Sequence, residues 1–404
     1  MKLRNQLLAL FCLLVFVAFG FLYVRTWVVP KTFGIILFVS DGMITQHLTA
    51  ARLYEGGADH HLALESFPNL ALLSNPAQDF AVPDDAAAAT ALATGVRVGH
   101  RHLAVDAHGK SLDSILELAR KRGRAVGLIT TGSPLSAAPA AFYAHTADSG
   151  DKVQILDQFL GNGKFDIVLG GGAGDFLPAG KGGLRKDNRD VLAELQGKGW
   201  EIVRSKVELE NAPAYRTSPL AGFFSVGEMA FSNQIESGSQ QPSLADMVRR
   251  AIQFLEVHSE GYVLVVDAGL ATSAAERNEG ERVITETLAL DHAMATAAKY
   301  AGEKSSLILA VGKHGTGGFS LNGYPFVQDH GVALLGVNAV GQPAITWATG
   351  PNGPGAKTEP SAFQTPSGLN TAQDVVAVGL GAGAEKLRGF MENTQIFNIL
   401  KDAL

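Results

Sequence analysis

Two consecutive carboxylates, Asp84 and Asp85, open the stretch VPDDAAAATALATG at Val82–Gly95. The alanine run behind them favours a helix, so the aspartates fall at its cap and first turn and Gly95 ends it. A helix start attracts anions, because its N–H groups lack partners and the dipole is positive there; here the chain supplies its own carboxylates. Aspartate is also among the commonest N-cap residues, and capping alone accounts for such a start. Asp41 closes the apolar run GIILFVSDGM, Asp267 closes GYVLVVDAG, and Lys313-His314 follow the run Ser306–Val311. Open α/β sheets bind ligands at the carboxyl ends of their strands, although an aspartate there also serves as a turn residue.

Elements able to position these residues alternate along the chain. Apolar, β-branched runs predict strands after Phe33, at Ala125–Thr131, Phe165–Leu169, Tyr262–Asp267, Ser306–Val311 and Val375–Val378. Helical patterns predict helices at Ser111–Arg122, Pro242–Glu256, Ile284–Lys299 and from about Asn393, while residues 178–242 read as loose and turn-rich. Gly170-Gly171-Gly172 lacks the Lys-Ser/Thr of a phosphate loop and reads as a tight turn. The alternation predicts an α/β fold, a mostly parallel central sheet with helices on both faces. No internal repeat or linker divides residues 32–404, which are expected to form one domain after an N-terminal segment, 1–31.

Composition narrows the class. With 46% hydrophobic and 18% charged residues the chain can bury a large core, and a net charge of −6 gives no electrostatic case for nucleic acid. The single cysteine, Cys12, excludes an intrachain disulfide and a cysteine-based metal site. Lys2 and Arg4 precede Leu7–Val24, eighteen residues without a charge, a length that nearly spans a bilayer as a helix. The run stays bulky to its end and leads into Tyr23, Arg25 and Trp27 rather than small residues, which predicts an uncleaved membrane anchor. Arg25 and Lys31 balance Lys2 and Arg4, so charge leaves the orientation open.

From about Phe33 to Leu404 the sequence resembles the alkaline phosphatase family. The likeness is carried in order by FVSDGM with Thr49-Ala50-Ala51-Arg52, PDDAAAATALATGVRVG, SILELARKRGRAVGLITT, APAAFYAH, DIVLGGG with Phe176-Leu177-Pro178, PSLADM, GYVLVVDAG, KHGTGGFSLNGYP and GLGAGAEKLRGFMENTQI. The resemblance implies a three-layer sandwich and an exported domain. It also implies two zinc ions and a magnesium at the strand ends, a serine nucleophile at the alanine-rich helix and an arginine clamp on the phosphate.

Carried over residue by residue, that machinery is depleted. Asp41 matches a metal-bridging aspartate, His314 a zinc histidine, and Asp84 the residue before the nucleophile; Asp267 stands for a magnesium glutamate. Asp85 takes the serine position, Lys313 that of a zinc aspartate, Thr272 of another, and Glu276 and Asn370 those of zinc histidines. Ala138 replaces the magnesium-binding threonine and Ser149 falls near the place of the arginine. A protonated lysine offers no lone pair to a metal, so Lys313 is expected to pair with Asp85, Asp41 or both where zinc would sit.

The resulting expectation is a pseudoenzyme, anchored in the membrane on the exported side, with no cofactor, whose fold serves a protein partner or a homo-oligomer. The alternative is a divergent phosphate-ester hydrolase using zinc or magnesium on Asp41, Asp267 and either His314 or Glu276. A third reading has the acidic cleft take a cationic ligand. Elsewhere, His100, His102 and His108 read as turn histidines rather than ligands, His60-His61 as an exposed pair, and His145 as a hydrogen-bonded packing residue.

Overall fold

Gly34–Ser40 forms β1, buried at all seven positions, as a run apolar on both faces requires. It lies near the middle of the principal sheet of a computed structural model. That structure describes residues 2–23, 33–161, 163–215, 218–235, 239–302, 305–322, 329–338 and 340–404. Arg25, Trp27 and Lys31, and Gly323-Tyr324-Pro325 of the KHGTGGFSLNGYP segment, lie outside the described residues.

The further strands are β2 (Asn69–Ser74), β3 (Ala125–Thr130), β4 (Ile167–Gly170), β5 (Glu201–Val203), β6 (Leu220–Phe223), β7 (Tyr262–Ala268), β8 (Ser306–Gly312), β9 (Gly315–Thr316), β10 (Ser320–Leu321), β11 (Ile345–Gly350), β12 (Ser361–Gln364), β13 (Asn370–Thr371), β14 (Val375–Gly381) and β15 (Gly389–Glu392). Ten of them form one sheet in the order β15-β2-β14-β8-β1-β7-β3-β4-β6-β5. It is parallel except where β14 runs against β8 and β2. A three-stranded sheet, β10-β11-β12, and the pair β13-β9 complete the strands among the described residues.

Side-chain alternation along β1 divides the core. Ile35, Leu37 and Val39 pack with Ala86, Ala89 and Leu92 and with Ile396 and Leu400 of the last helix, Thr394–Ala403. Ile36 and Phe38 pack on the other face with Met247, Val248 and Ile252 of helix Leu244–Leu255 and with Ile284 of helix Gly280–Ala301. Two apolar layers around one sheet make the expected three-layer arrangement.

Several elements differ from the sequence expectations for identifiable reasons. The helix expected from Ser111 begins at Ile115, because Ser114 and Glu117 form a reciprocal capping box. The long helix starts four residues early, at Gly280, whose N–H donates to Glu359 at 2.8 Å. The turn-rich span 178–242 contains β5, β6 and the helices Val191–Gly197 and Lys206–Asn211, segments too short for a periodic signal. β2 escapes notice because Leu70 remains 57% exposed and breaks the burial pattern of a strand.

Helix Asp85–Thr94 follows its expectation closely. Asp84 is the N-cap, accepting from Ala87 N at 2.8 Å, and Gly95 ends the helix with φ 74°. A Cβ at Gly95 would lie 2.7 Å from the Phe397 ring, so both the left-handed backbone and close packing call for glycine. All residues from Ala86 to Thr94 are buried, so the small alanine side chains let the helix lie close against the sheet. At the N-terminus, Lys2–Tyr23 forms one helix of 22 residues with no buried residue and a mean hydropathy of 2.4 over its most apolar window, long and apolar enough to cross a membrane.

Candidate active site and its substitutions

Strand register brings the chemistry-bearing residues together. Val39 of β1 pairs with Asp267 of β7 and with Val311 of β8, so Asp41 and Lys313-His314 leave the sheet beside one another at its carboxyl edge. Lys313 N–H donates to Ser40 O at 2.9 Å, and the Asn75 amide donates to the Lys313 carbonyl at 2.5 Å. Those bonds hold the lysine backbone while its side chain turns inward, leaving it 2% exposed.

The Lys313 ammonium sits between two carboxylates, in ion-pair contact with Asp41 and 2.5 Å from Asp85 Oδ1. The expected pairing with both aspartates is therefore present. Burial disfavours the Lys313 charge, but Asp41, Asp85 and Asp267 hold its pKa above the usual lysine value. Burial, opposed by Lys313 and reinforced by Asp85 and Asp267, pushes Asp41 up to about 7. Burial also acts on Asp85, yet Lys313 and His314 hold it well below the ordinary carboxylate range. Asp85 is the rim member, its side chain 40% exposed, with His314 Nε2 at 3.2 Å.

Asp267 is buried and its Oδ2 accepts from Thr130 Oγ1 at 2.7 Å, while Oδ1 has no hydrogen-bond partner among the described residues. Burial raises its pKa against the pull of Lys313. Thr130 was not singled out from the sequence, although it sits in ITTG at the end of β3, opposite Asp267 in register. It supplies a hydroxyl to this carboxylate; Ala138, in the short helix Ala137–Ala140, is buried and has none to offer. Thr316 is a second unanticipated member. Pairing of β9 with β13 places its hydroxyl 3.2 Å from Asn370 Oδ1 and 3.4 Å from His314 Nδ1.

The other half of the cleft is looser. Thr272 and Glu276 lie one turn apart on helix Leu270–Glu276; Thr272 Oγ1 is buried without a hydrogen-bond partner among the described residues, and burial together with Asp85 raises the pKa of Glu276. Asn370 donates to Pro83 O at 3.0 Å and so ties its strand to the loop before Asp84. Asp84 Oδ2 accepts from Arg101 N at 2.7 Å. The Arg101 guanidinium pairs with Asp148 at 2.5 Å and the Arg101 carbonyl accepts from Ser149 N at 2.7 Å, so Ser149 belongs to this corner of backbone contacts.

The donor set does not fit a zinc pair. A lysine ammonium, which has no lone pair, fills the space between Asp41 and Asp85, while Thr272 and Asn370 are neutral groups. Among the described residues no three His, Cys, Asp or Glu side chains converge on one point. Asp41 Oδ2 and Asp267 Oδ2 both lie near Gly269, where an added Cβ would be 3.4 Å from one and 3.5 Å from the other.

Among the remaining histidines, His100 Nε2 donates to Val82 O at 2.8 Å, and His102 Nδ1 lies 2.9 Å from the His100 carbonyl. His145 bridges Ala104 O at 3.0 Å and Glu117 at 2.9 Å, a hydrogen-bonded packing position.

Comparison with known proteins agrees with this architecture. The alkaline phosphatase family model matches residues 33–404. Alkaline phosphatase 4 of Bacillus subtilis is 31% identical over 300 residues, spanning 71% of this chain and 62% of that protein. The tissue-nonspecific alkaline phosphatase of Gallus gallus is 28% identical, spanning 80% of this chain and 71% of that one. Among solved structures, the alkaline phosphatase of the Antarctic bacterium TAB5 superposes with TM-score 0.74 at 23% identity, covering 93% of this chain and 98% of that one. The Thermus thermophilus enzyme gives 0.76 at 23% identity, covering 93% and 92%. The match to the Bacillus protein thus spans less than two thirds of that relative's length. On the family match over residues 33–404, and with an architecture to suit, this chain belongs to the alkaline phosphatase family.

Proposed function

We propose that this protein is a membrane-anchored, exported member of the family in which phosphate-monoester hydrolysis is lost and the fold serves binding or assembly, with a protein partner or a second copy of the chain. The observation that carries this reading is the buried Lys313 ammonium, in contact with Asp41 and Asp85. Phosphoryl transfer needs positive charge spread over the transferring group. Here the cation is already neutralised by two carboxylates of the chain, and the residue at the nucleophile position is one of them. The guanidinium of Arg101 is likewise engaged by Asp148. Loss of several parts that act together is hard to rescue. The helix Lys2–Tyr23 would serve as the retained anchor and residues 32–404 as the exported domain.

Purified full-length protein in detergent, supplied with zinc and magnesium, is expected to show no aryl phosphate turnover that disappears in Asp85→Ala. Metal-dependent turnover lost in that variant would overturn the proposal.

A second reading, a hydrolase with a reduced metal site, draws on the partnerless buried Oδ1 of Asp267. Asp41, Asp267 and either His314 or Glu276 would then hold one zinc or magnesium ion. A stoichiometric divalent ion remaining after dialysis would favour it over the first.

A further inference from the structure

The candidate site occupies only one edge of the principal sheet. Asp41, Lys313 and His314 follow the carboxyl ends of β1 and β8, whereas the chain enters β1 from Phe33 at the opposite, amino edge. Seven residues of strand at about 3.3 Å each set the two edges about 23 Å apart. Arg124, 1% exposed, closes the amino edge: its guanidinium donates to Phe33 O at 3.1 Å and to Leu404 O at 2.9 Å. The start of β1, the entry to β3 and the end of the last helix therefore meet at one place.

That entry point limits how far the edge can lie from a membrane. Nine residues, 24–32, separate helix Lys2–Tyr23 from Phe33, and nine residues reach about 30 Å at full extension. They read VRTWVVPKT, with Arg25 and Lys31 and no acidic residue. A bilayer that holds the helix is within that reach of the amino edge.

Around Phe33 the exposed charge is mainly basic. Arg122 precedes β3, Lys164 precedes β4, Lys299 lies in the last turn of helix Gly280–Ala301 before β8, and Lys401 in the last turn of helix Thr394–Ala403. The strands β8, β1, β7, β3 and β4 are consecutive neighbours, so four spacings of about 4.8 Å bring their entries within about 19 Å. All four cationic residues are exposed, and none has an ion pair among the described residues. Of the acidic residues at this edge, Asp166 pairs with Arg120 at 3.1 Å and Asp113 with Lys121 at 2.7 Å, while Glu256 and Glu260 are exposed before β7. Lys299 and Lys401 lie over the rings of Tyr300 and Phe397, 5.6 and 5.9 Å from their centroids, and Tyr300 is 38% exposed. Cations on long stems beside a partly exposed aromatic ring suit an anionic headgroup layer. In a chain of net charge −6, whose cleft is lined by carboxylates, this basic face is a local feature.

We infer that the amino edge of the sheet, through Arg122, Lys164, Lys299 and Lys401, rests on the anionic phospholipid surface of the bilayer that holds the chain's own N-terminal helix, with the cleft turned away from it. The inference rests on the reading that this helix is a retained anchor, and it adds which face of the domain meets the membrane.

The test uses the full chain reconstituted into nanodiscs, one set of phosphatidylcholine alone and one with about three parts in ten of phosphatidylglycerol, with lysine acetylation followed residue by residue by mass spectrometry. Lys164, Lys299 and Lys401 are expected to label about threefold or more slowly in the anionic discs, while Lys186, exposed in the loop beyond the carboxyl end of β4, labels equally in both. Sodium chloride at about 1 M, which shortens the screening length to about 3 Å, should erase the difference. The double variant Arg122→Glu, Lys164→Glu should lose the protection of Lys299 and Lys401 while melting at the parent's temperature. Equal labelling in the two lipids, protection that survives the double variant, or protection of Lys186 instead would overturn the inference. A chain that enters neither disc overturns the anchor reading; one that enters both without selective protection overturns the docking face alone.

Discussion

The two halves of the cleft treat charge in different ways. Around Asp41, Asp85, Lys313 and His314 the charges are compensated: an ammonium bridges two carboxylates and backbone bonds fix the lysine from both sides. Around Thr272, Glu276 and Asn370 compensation is weaker. A hydroxyl is left without a partner among the described residues, burial with Asp85 and Glu228 outweighs the pull of Arg277 and His314 on the Glu276 carboxylate, and the Asn370 amide ties its strand to the loop before Asp84. A buried anion needs a cation whatever its source, whereas a position at the mouth can lose its cation and still be solvated.

The sharpest test of this contrast is Lys313→Met, which leaves Asp41 and Asp85 without their cation. Breaking a buried pair in this way is expected to cost about 3–5 kcal/mol, measured by urea unfolding. If the variant is as stable as the parent, the ammonium is not what holds the inner half together. Asp85→Asn should cost less, at most about 1 kcal/mol, because Asp85 is 40% exposed and solvent screens its interactions. Its pKa is depressed in the folded state, so its contribution is full above the unfolded carboxylate value and declines progressively as pH falls below it toward the folded value. Melting curves of parent and variant should therefore differ most at pH 7 and draw together step by step as pH falls below about 4.

Glu276→Gln should move stability the other way. The pKa of Glu276 is raised, so ionising it in the folded state costs stability as pH rises above the unfolded glutamate value. Removing that charge is expected to stabilise by a few tenths of a kcal/mol at pH 8 and by nothing at pH 4. A loss at pH 8 would mean that Glu276 already has a counterion. The smallest expected effect is that of chelation. If Lys313 serves in place of a metal, excess EDTA should shift the melting temperature by less than about 1 °C. A large fall would restore the hydrolase reading.

Much of this was legible in the residues. The cap at Asp84, the end at Gly95 and the strand-end position of Asp41 follow from local rules, because capping and buried strands need only near neighbours in the chain. The pairing of Lys313 with Asp41 and Asp85 could be expected from charge balance once the resemblance had aligned the three positions. Thr130 and Thr316 escaped, because a threonine at the end of a strand says nothing about which carboxylate or imidazole a neighbouring strand will bring to it. β5 and β6 escaped because strands of three and four residues exist only through their partners.

The amino-acid sequence alone determined the family, the sandwich architecture and the apolar N-terminal helix, since these depend on residue types in order. Only the tertiary structure decided which charges meet. Parallel register of β1, β7 and β8 brought Lys313 to Asp41 and Asp267, the start of helix Asp85–Thr94 added Asp85, and a separate helix carries Thr272 and Glu276, with Arg277 at its end. Coulomb energy depends on distance and burial, and neither is written in the order of residues.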